Sequence, residues 1–105
     1  EERQRFVREA RVLRAVSHPS LPTLVDCRTR RRKRPFIAMS LARGQRASDF
    51  CLEATRLAPT EVIAVGKAIA GALTALHARG ILHRDINNSN VLIDLETRTA
   101  TLVDF

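Results

Sequence analysis

Residues 59–79 constrain the fold more than any other part of the chain. Val62, Val65, Gly66, Ile69, Ala72, Leu73 and Leu76 recur at steps of three and four over four turns, the spacing of a helix with one apolar face. Pro59 suits the first helical turn, where its missing N–H has no intrahelical partner to lose. Glu61 lies near the positive end of the helix dipole, and Gly80 follows where a left-handed residue closes a helix. Each interior glycine lowers helix propensity by about 1 kcal/mol, so the small residues Gly66, Ala70, Gly71 and Ala72 predict a closely packed neighbour. A helix buried along one face needs a layer to lie on. The flanking sequence supplies short apolar runs of strand length.

Residues 1–16 carry a second helical stripe. Phe6, Ala10, Leu13 and Ser17 fall at i, i+4, i+7 and i+11, widened by Val12 and Val16. Arg3, Arg5, Arg8, Arg11 and Arg14 cover much of the remaining surface, with Glu9 the notable acid among them. Pro19 disfavours helical geometry at His18 and stops the helix. Residues 24–27 and 35–39 are apolar runs joined by the basic stretch RTRRRKR at 28–34, the pattern of a hairpin with a charged tip. Residues 43–45 break the pattern, and 48–56 suit a short helix. After Gly80, residues 91–93 and 99–103 read as strands around a turn at 94–98, ahead of Asp104 and Phe105.

Composition narrows the function classes. The 105 residues carry 18 Lys and Arg against 11 Asp and Glu, a formal charge of +7. With 45% hydrophobic and 28% charged residues, the chain is globular rather than disordered. No apolar run approaches the ~20 residues of a membrane span, and EERQRF is no signal peptide. Cys27 and Cys51 lack a CxxC pattern or a histidine at zinc spacing, so a reduced, cytoplasmic protein is the default. The run at 28–34 invites a nucleic-acid or nuclear-import reading, and the net charge of +7 promotes salt-dependent, non-specific binding to polyanions. Four Phe and no Tyr or Trp leave little for bases to stack on, so a solvated hairpin tip is favoured over a nucleic-acid site.

The chemistry concentrates in residues 83–90, His-Arg-Asp-Ile-Asn-Asn-Ser-Asn. Asp85 and Asn90 share that loop, and Asp104 stands at the following strand end. Such hard oxygen donors suit Mg²⁺ shared with phosphate oxygens. A hydroxyl nucleophile needs an acceptor such as Asp85 beside it. Any one of the three alone would read as a turn residue; together they form the set that phosphoryl transfer requires. HRDxxxxN, a hairpin and then DF resemble the catalytic loop and metal-binding segment of eukaryotic-type protein kinases. Upstream, REARVL at 8–13 with VSHPSL at 16–21 is similar to that family's C-helix and following loop. Residues 35–44 resemble its strand five, gatekeeper and hinge, and 58–80 its helix E.

The resemblance implies a partial protein-kinase-like fold of the α+β class, with an N-lobe portion at 1–39, a hinge at 40–44 and a C-lobe portion at 45–105. It implies ATP and Mg²⁺ as cofactors and a protein substrate. Serine/threonine specificity follows because the loop lacks the HRDxxARN arrangement of tyrosine kinases. Asp85 would orient the substrate hydroxyl and take its proton. Asn90 and Asp104 would hold Mg²⁺, and Glu9 would pair with a strand-three lysine. Met39 would be the gatekeeper, Ser40, Leu41 and Ala42 the hinge whose backbone reads adenine, and Leu92 the residue beneath the base. His83, Phe105, Leu13 and Leu24 would stack as a spine between the lobes. Arg84 would grip a phosphorylated activation loop.

Three features depart from the family pattern. The Gly-rich loop and strand-three lysine expected before Glu1, and the activation loop expected after Phe105, are not in these residues. The segment is therefore read as part of a kinase domain, inactive by itself and not expected to fold alone. Asn87 stands where serine/threonine kinases usually place a lysine that neutralises the transferring phosphate. Ser40 stands where many have an acidic hinge residue, at a position that contributes its backbone. Asp-Ile-Asn-x-Ser-Asn resembles a bacterial subgroup whose kinase domain heads a protein with ATPase, sensor and histidine-kinase parts, and sixteen Arg against two Lys suits a GC-rich bacterial genome. A pseudokinase or docking module that regulates a neighbouring domain is the alternative from another class.

Overall fold

The computed structural model describes residues 2–28, 34–52 and 57–103. Helix α1 (Glu2–Ala15) forms where the first apolar stripe places it. Ala10, Val12 and Leu13 are buried, and Val16 beyond its end joins the core. Ser17 is exposed, so the stripe ends one step earlier than its spacing predicts. The buried face lies on an antiparallel pair, β1 (Leu24–Arg28) and β2 (Phe36–Met39). The Arg14 guanidinium donates to Cys27 Sγ at 2.9 Å and ties α1 to β1. Where the hairpin closes, Arg28 stands opposite Phe36 with its guanidinium carbon 5.1 Å from the ring centre, a cation–π contact. Of the basic tip expected at 28–34, Arg28 belongs to β1, and residues 29–33 lie outside the described residues.

The second sheet is antiparallel in the order β3–β4–β5, from β3 (Gln45–Arg46), β4 (Val91–Asp94) and β5 (Thr99–Leu102). Helix α2 (Ala47–Leu52) follows β3 directly, and helix α3 (Pro59–His77) precedes the loop to β4. Residues 53–56 of the expected short helix lie outside the described residues. The sequence reading had only a break where β3 forms. Gln45 and Arg46 carry no alternation to reveal a strand, yet they pair with Ile93 and Leu92.

Helix α3 starts and stops by side-chain and backbone devices written in the sequence. Glu61 reaches back so that its Oε1 accepts the Ala58 N–H at 2.7 Å, half of a capping box, since Ala58 has no acceptor to return. At the far end Ile81 N–H donates to Leu76 O and Gly80 N–H to His77 O, with Gly80 at φ +71°. That is the Schellman closure expected of Gly80. Ile69, Ala72 and Leu76 are buried against β5, where Leu76 meets the equally enclosed Leu102. One continuous core runs from Val12 and Val16 through these residues to Phe50, Val91, Ile93 and Ala100.

The small residues of α3 divide. A Cβ at Gly71 would lie 3.1 Å from the His18 ring, so the absent side chain lets the loop after α1 sit on the helix; at Gly66 nothing approaches. Val62 and Ile63 are more than half exposed, so the N-terminal part of the predicted stripe is not covered by the described residues. Contrary to the sequence reading of membrane spans, this 19-residue helix is long and apolar enough to cross a bilayer by length and composition. Within the described residues it packs on β5 through Ile69, Ala72 and Leu76.

The end of β2 is pinned to the segment before β1. Ser40 N–H donates to Thr23 O, and Ser40 Oγ accepts the Thr23 N–H, both at 2.8 Å. Ser40→Ala removes the second bond and leaves a backbone amide to water. The expected loss is about 1 kcal/mol, read as a fall of about 2–4 °C in the melting midpoint of the domain within the full-length protein.

Candidate active site

The loop from 81 to 90 has no helical or sheet ladder and is ordered by its own polar side chains. His83 is buried. Its Nδ1 accepts the Asp85 N–H at 3.1 Å, so the ring proton sits on Nε2, 2.9 Å from the Val103 carbonyl that accepts it. Arg84 between them adopts φ +71°, a left-handed conformation uncommon outside glycine. That turn brings the Asp85 amide back to the Nδ1 edge of the His83 ring. The histidine thus links the loop to the strand end twenty residues later.

Two amides hold Asp85. Asn90 Nδ2 donates to Asp85 Oδ2 at 3.1 Å and to the Asp85 carbonyl at 2.9 Å. Asn87 Nδ2 donates to Oδ1 at 2.9 Å and to the same carbonyl at 3.2 Å. Asn87 Oδ1 in turn accepts the Ser89 N–H at 2.8 Å, an Asx turn. Asp85 is exposed, with one side-chain donor on each carboxylate oxygen. An ionised carboxylate has about four acceptor positions, so capacity remains for an incoming hydroxyl.

Asn90 is buried, with its amide protons turned to Asp85. Its Oδ1 is therefore the atom it can turn to a cation, a hard donor of the kind Mg²⁺ takes. The Asn90 carbonyl accepts the Val103 N–H at 3.0 Å. Both backbone groups of Val103 are thereby bonded to the loop. Its neighbour Leu102 donates to Ser20 O at 2.9 Å and joins the strand to the segment after α1. Asp104 and Phe105, the second carboxylate and the spine aromatic of the sequence reading, lie outside the described residues. Among the described residues no group of three or more His, Cys, Asp and Glu gathers at metal-binding separation.

The remaining expected residues sit as follows. Glu9 is half-buried on α1, one residue before buried Ala10. Met39 ends β2 and is exposed, Leu41 stands well out into solvent, and Ala42 is half-buried. Leu92 lies on β4 between Val91 and Ile93; those two face the core and Leu92 is half-buried on the opposite face. Leu13 is buried, and Leu24 is half-buried opposite Met39. Arg84 lines an open groove of about 860 Å³ with Arg8 and Arg11 of α1. The structure brings the expected residues Asp85 and Asn90 into hydrogen-bond contact; the grip of Asn87 on the carboxylate was not expected, and its only signal was an unusual residue at that place.

The model of the protein kinase domain matches residues 1–105. This chain belongs to the protein kinase domain family. Among curated kinases it is 31% identical over 101 residues to the serine/threonine-protein kinase PknL of Mycobacterium tuberculosis, covering 96% of this chain and 25% of that protein. It is 37% identical over 91 residues to PknJ of the same organism, covering 87% and 15%. It is 34% identical over 104 residues to the serine/threonine-protein kinase pkn2 of Myxococcus xanthus, covering 97% and 12%. The chain thus spans a quarter or less of the length of these three curated relatives. The solved structure of Rad53 in complex with AMP-PNP superposes with a TM-score of 0.81 at 23% identity, over 97% of this chain and 28% of that one. The apo form of PpkA gives 0.82 at 22%, over 96% and 36%. The partial kinase fold of the α+β class expected from the motifs is the fold observed.

Proposed function

We propose that this chain is the middle of a kinase domain that moves the γ-phosphoryl group of ATP to a serine or threonine hydroxyl of a protein substrate. The observation that carries the reading is the Asp85 carboxylate, open to solvent yet gripped by Asn87 and Asn90 on a loop anchored through buried His83. A carboxylate so placed orients a substrate hydroxyl and accepts its proton as the oxygen attacks phosphorus. Asn90 Oδ1 and the Asp104 carboxylate would hold Mg²⁺, which when bound neutralises charge on the phosphate oxygens. Support for Asp104 comes from Val103, one Cα–Cα step of about 3.8 Å away, which is bonded to both Asn90 and His83.

The finer assignments complete the reading. Residues 1–39 belong to the upper lobe, 40–44 to the hinge and 45–105 to the lower lobe, running from the C-helix to the DF dipeptide. Glu9 pairs with a lysine of a preceding strand, Met39 is the gatekeeper, the backbone of Ser40, Leu41 and Ala42 reads adenine, and Leu92 underlies it. His83, Phe105, Leu13 and Leu24 form the stack between lobes. Arg84 meets a phosphorylated activation loop in the groove it shares with Arg8 and Arg11. ATP as donor places the domain in the cytoplasm. The DINxSN run and the bacterial kinases among the relatives favour a bacterial multi-domain parent with ATPase and histidine-kinase parts.

The test is made on the full-length protein. A nucleotide analogue should raise its melting midpoint by several degrees only when Mg²⁺ is present, since a ligand that binds the native state alone stabilises it by mass action. The same protein should label serine or threonine on itself or on a general protein acceptor. Absence of both nucleotide stabilisation and transfer would leave the docking-module alternative.

A further inference from the structure

Asn87 does two separable things with its two ends. Its Oδ1 accepts the Ser89 N–H at 2.8 Å and shapes the turn toward Asn90. Its Nδ2 points the other way, 2.9 Å from Asp85 Oδ1, while Asn90 Nδ2 stands 3.1 Å from Oδ2. With a donor on each oxygen, the carboxylate cannot swing about its terminal torsion without breaking a bond. With one donor removed, it pivots about the other. Asn87 itself is exposed, so the bond to Asp85 is not needed to satisfy a buried amide.

We propose that Asn87 is a positioning residue whose amide nitrogen fixes the orientation of the Asp85 carboxylate toward the substrate hydroxyl. The inference rests on the phosphotransfer reading of the same loop. It reassigns a residue that, as a neutral group, supplies no charge to the transferring phosphate: its contribution is the aim of Asp85. Misplacement of a reacting group by an ångström lowers rates by up to about 100-fold, so loss of one of two tethers is expected to lower kcat by about 10-fold.

Three variants of the full-length protein separate the two ends. Asn87→Asp keeps the acceptor for Ser89 N–H and loses the donor to Asp85. Asn87→Lys keeps a donor within reach of Asp85 and loses the turn acceptor. Asn87→Ala loses both. The expected result is a kcat lowered about 10-fold or more in Asn87→Ala and Asn87→Asp, with KM for ATP and the melting midpoint near wild type. Asn87→Lys recovers most of that loss. Normal turnover in Asn87→Asp beside a loss in Asn87→Lys would assign the residue to the turn alone, and an equal loss in all three variants would show that a donor returned at this position does not restore the aim of Asp85; either result overturns the proposal. Asp85→Ala run in parallel keeps the two readings apart. An active wild type silenced by Asp85→Ala, but indifferent to Asn87→Asp, sinks only the positioning role. A wild type without turnover, or an Asp85→Ala variant with full turnover, sinks the phosphotransfer reading and this inference with it.

Discussion

Asp85→Ala in the full-length protein is expected to lower phosphoryl transfer by about 100-fold or more while Mg²⁺-dependent nucleotide binding stays close to wild type. The separation follows from which bonds the substitution removes. Asn90 keeps its 2.9 Å bond to the backbone carbonyl of residue 85, and Asn87 its 3.2 Å bond to the same oxygen. The Asn90 oxygen offered to a cation therefore stays in place when the carboxylate goes. His83 also keeps its backbone partners, the amide of residue 85 and the Val103 carbonyl. Initial rates at saturating ATP report the first quantity and melting midpoints with and without Mg²⁺ and nucleotide report the second. Asp85→Asn preserves volume and removes the basic oxygen, so it should fall with Asp85→Ala if proton acceptance is the role. Full turnover in either variant would take Asp85 out of the chemistry.

The parts of this fold that could be read from the sequence are those set by local periodicity. α1 and α3 announced themselves through apolar residues three and four apart, and Gly80 through the closure it makes. β1, β2, β4 and β5 were visible as short apolar runs between breaks. β3 was not, because a two-residue strand of Gln45 and Arg46 is defined only by the β4 backbone it pairs with. Exposure of Val62 and Ile63 was equally hidden, since periodicity names the apolar face of a helix and not how far along its length a neighbour extends. At the site, the structure brings Asp85 and Asn90 into contact, and their placing on one loop was legible. The bonds that order them were not. His83 meets Val103 across twenty residues, and Leu102 meets Ser20 across more than eighty; such pairings arise from tertiary packing that no local pattern encodes. Asn87 is the instructive case: a residue noticed as a departure proved to have both ends of its amide engaged, one of them by the carboxylate it stands beside.

Gly44→Ala is expected to destabilise the domain by about 3 kcal/mol or more. Gly44 adopts φ +113°, and a Cβ built there would stand 2.2 Å from the carbonyl oxygen of Ile93, 2.5 Å from its carbon and 2.8 Å from the Asp94 nitrogen. All three atoms are backbone of β4, the central strand of its sheet, so no side-chain rotation relieves the overlap. Either β3 lifts away, losing its pairing at Gln45 and Arg46, or β4 shifts and carries Leu92 and Asn90 with it. In the full-length protein the melting midpoint of the domain should fall by about 5–10 °C, and nucleotide binding should weaken because the strand that follows Asn90 is the one displaced. Gly80→Ala is the control. Gly80 has φ +71° but nothing within 4 Å of its would-be Cβ, so only the left-handed strain of about 1–2 kcal/mol applies. A midpoint lowered as much by Gly80→Ala as by Gly44→Ala would show that backbone angle, and not the approach of β4, makes position 44 a glycine. A larger fall at Gly44 accompanied by weaker nucleotide binding would tie this two-residue strand to the stability of the loop that carries Asp85 and Asn90, through the β4 backbone.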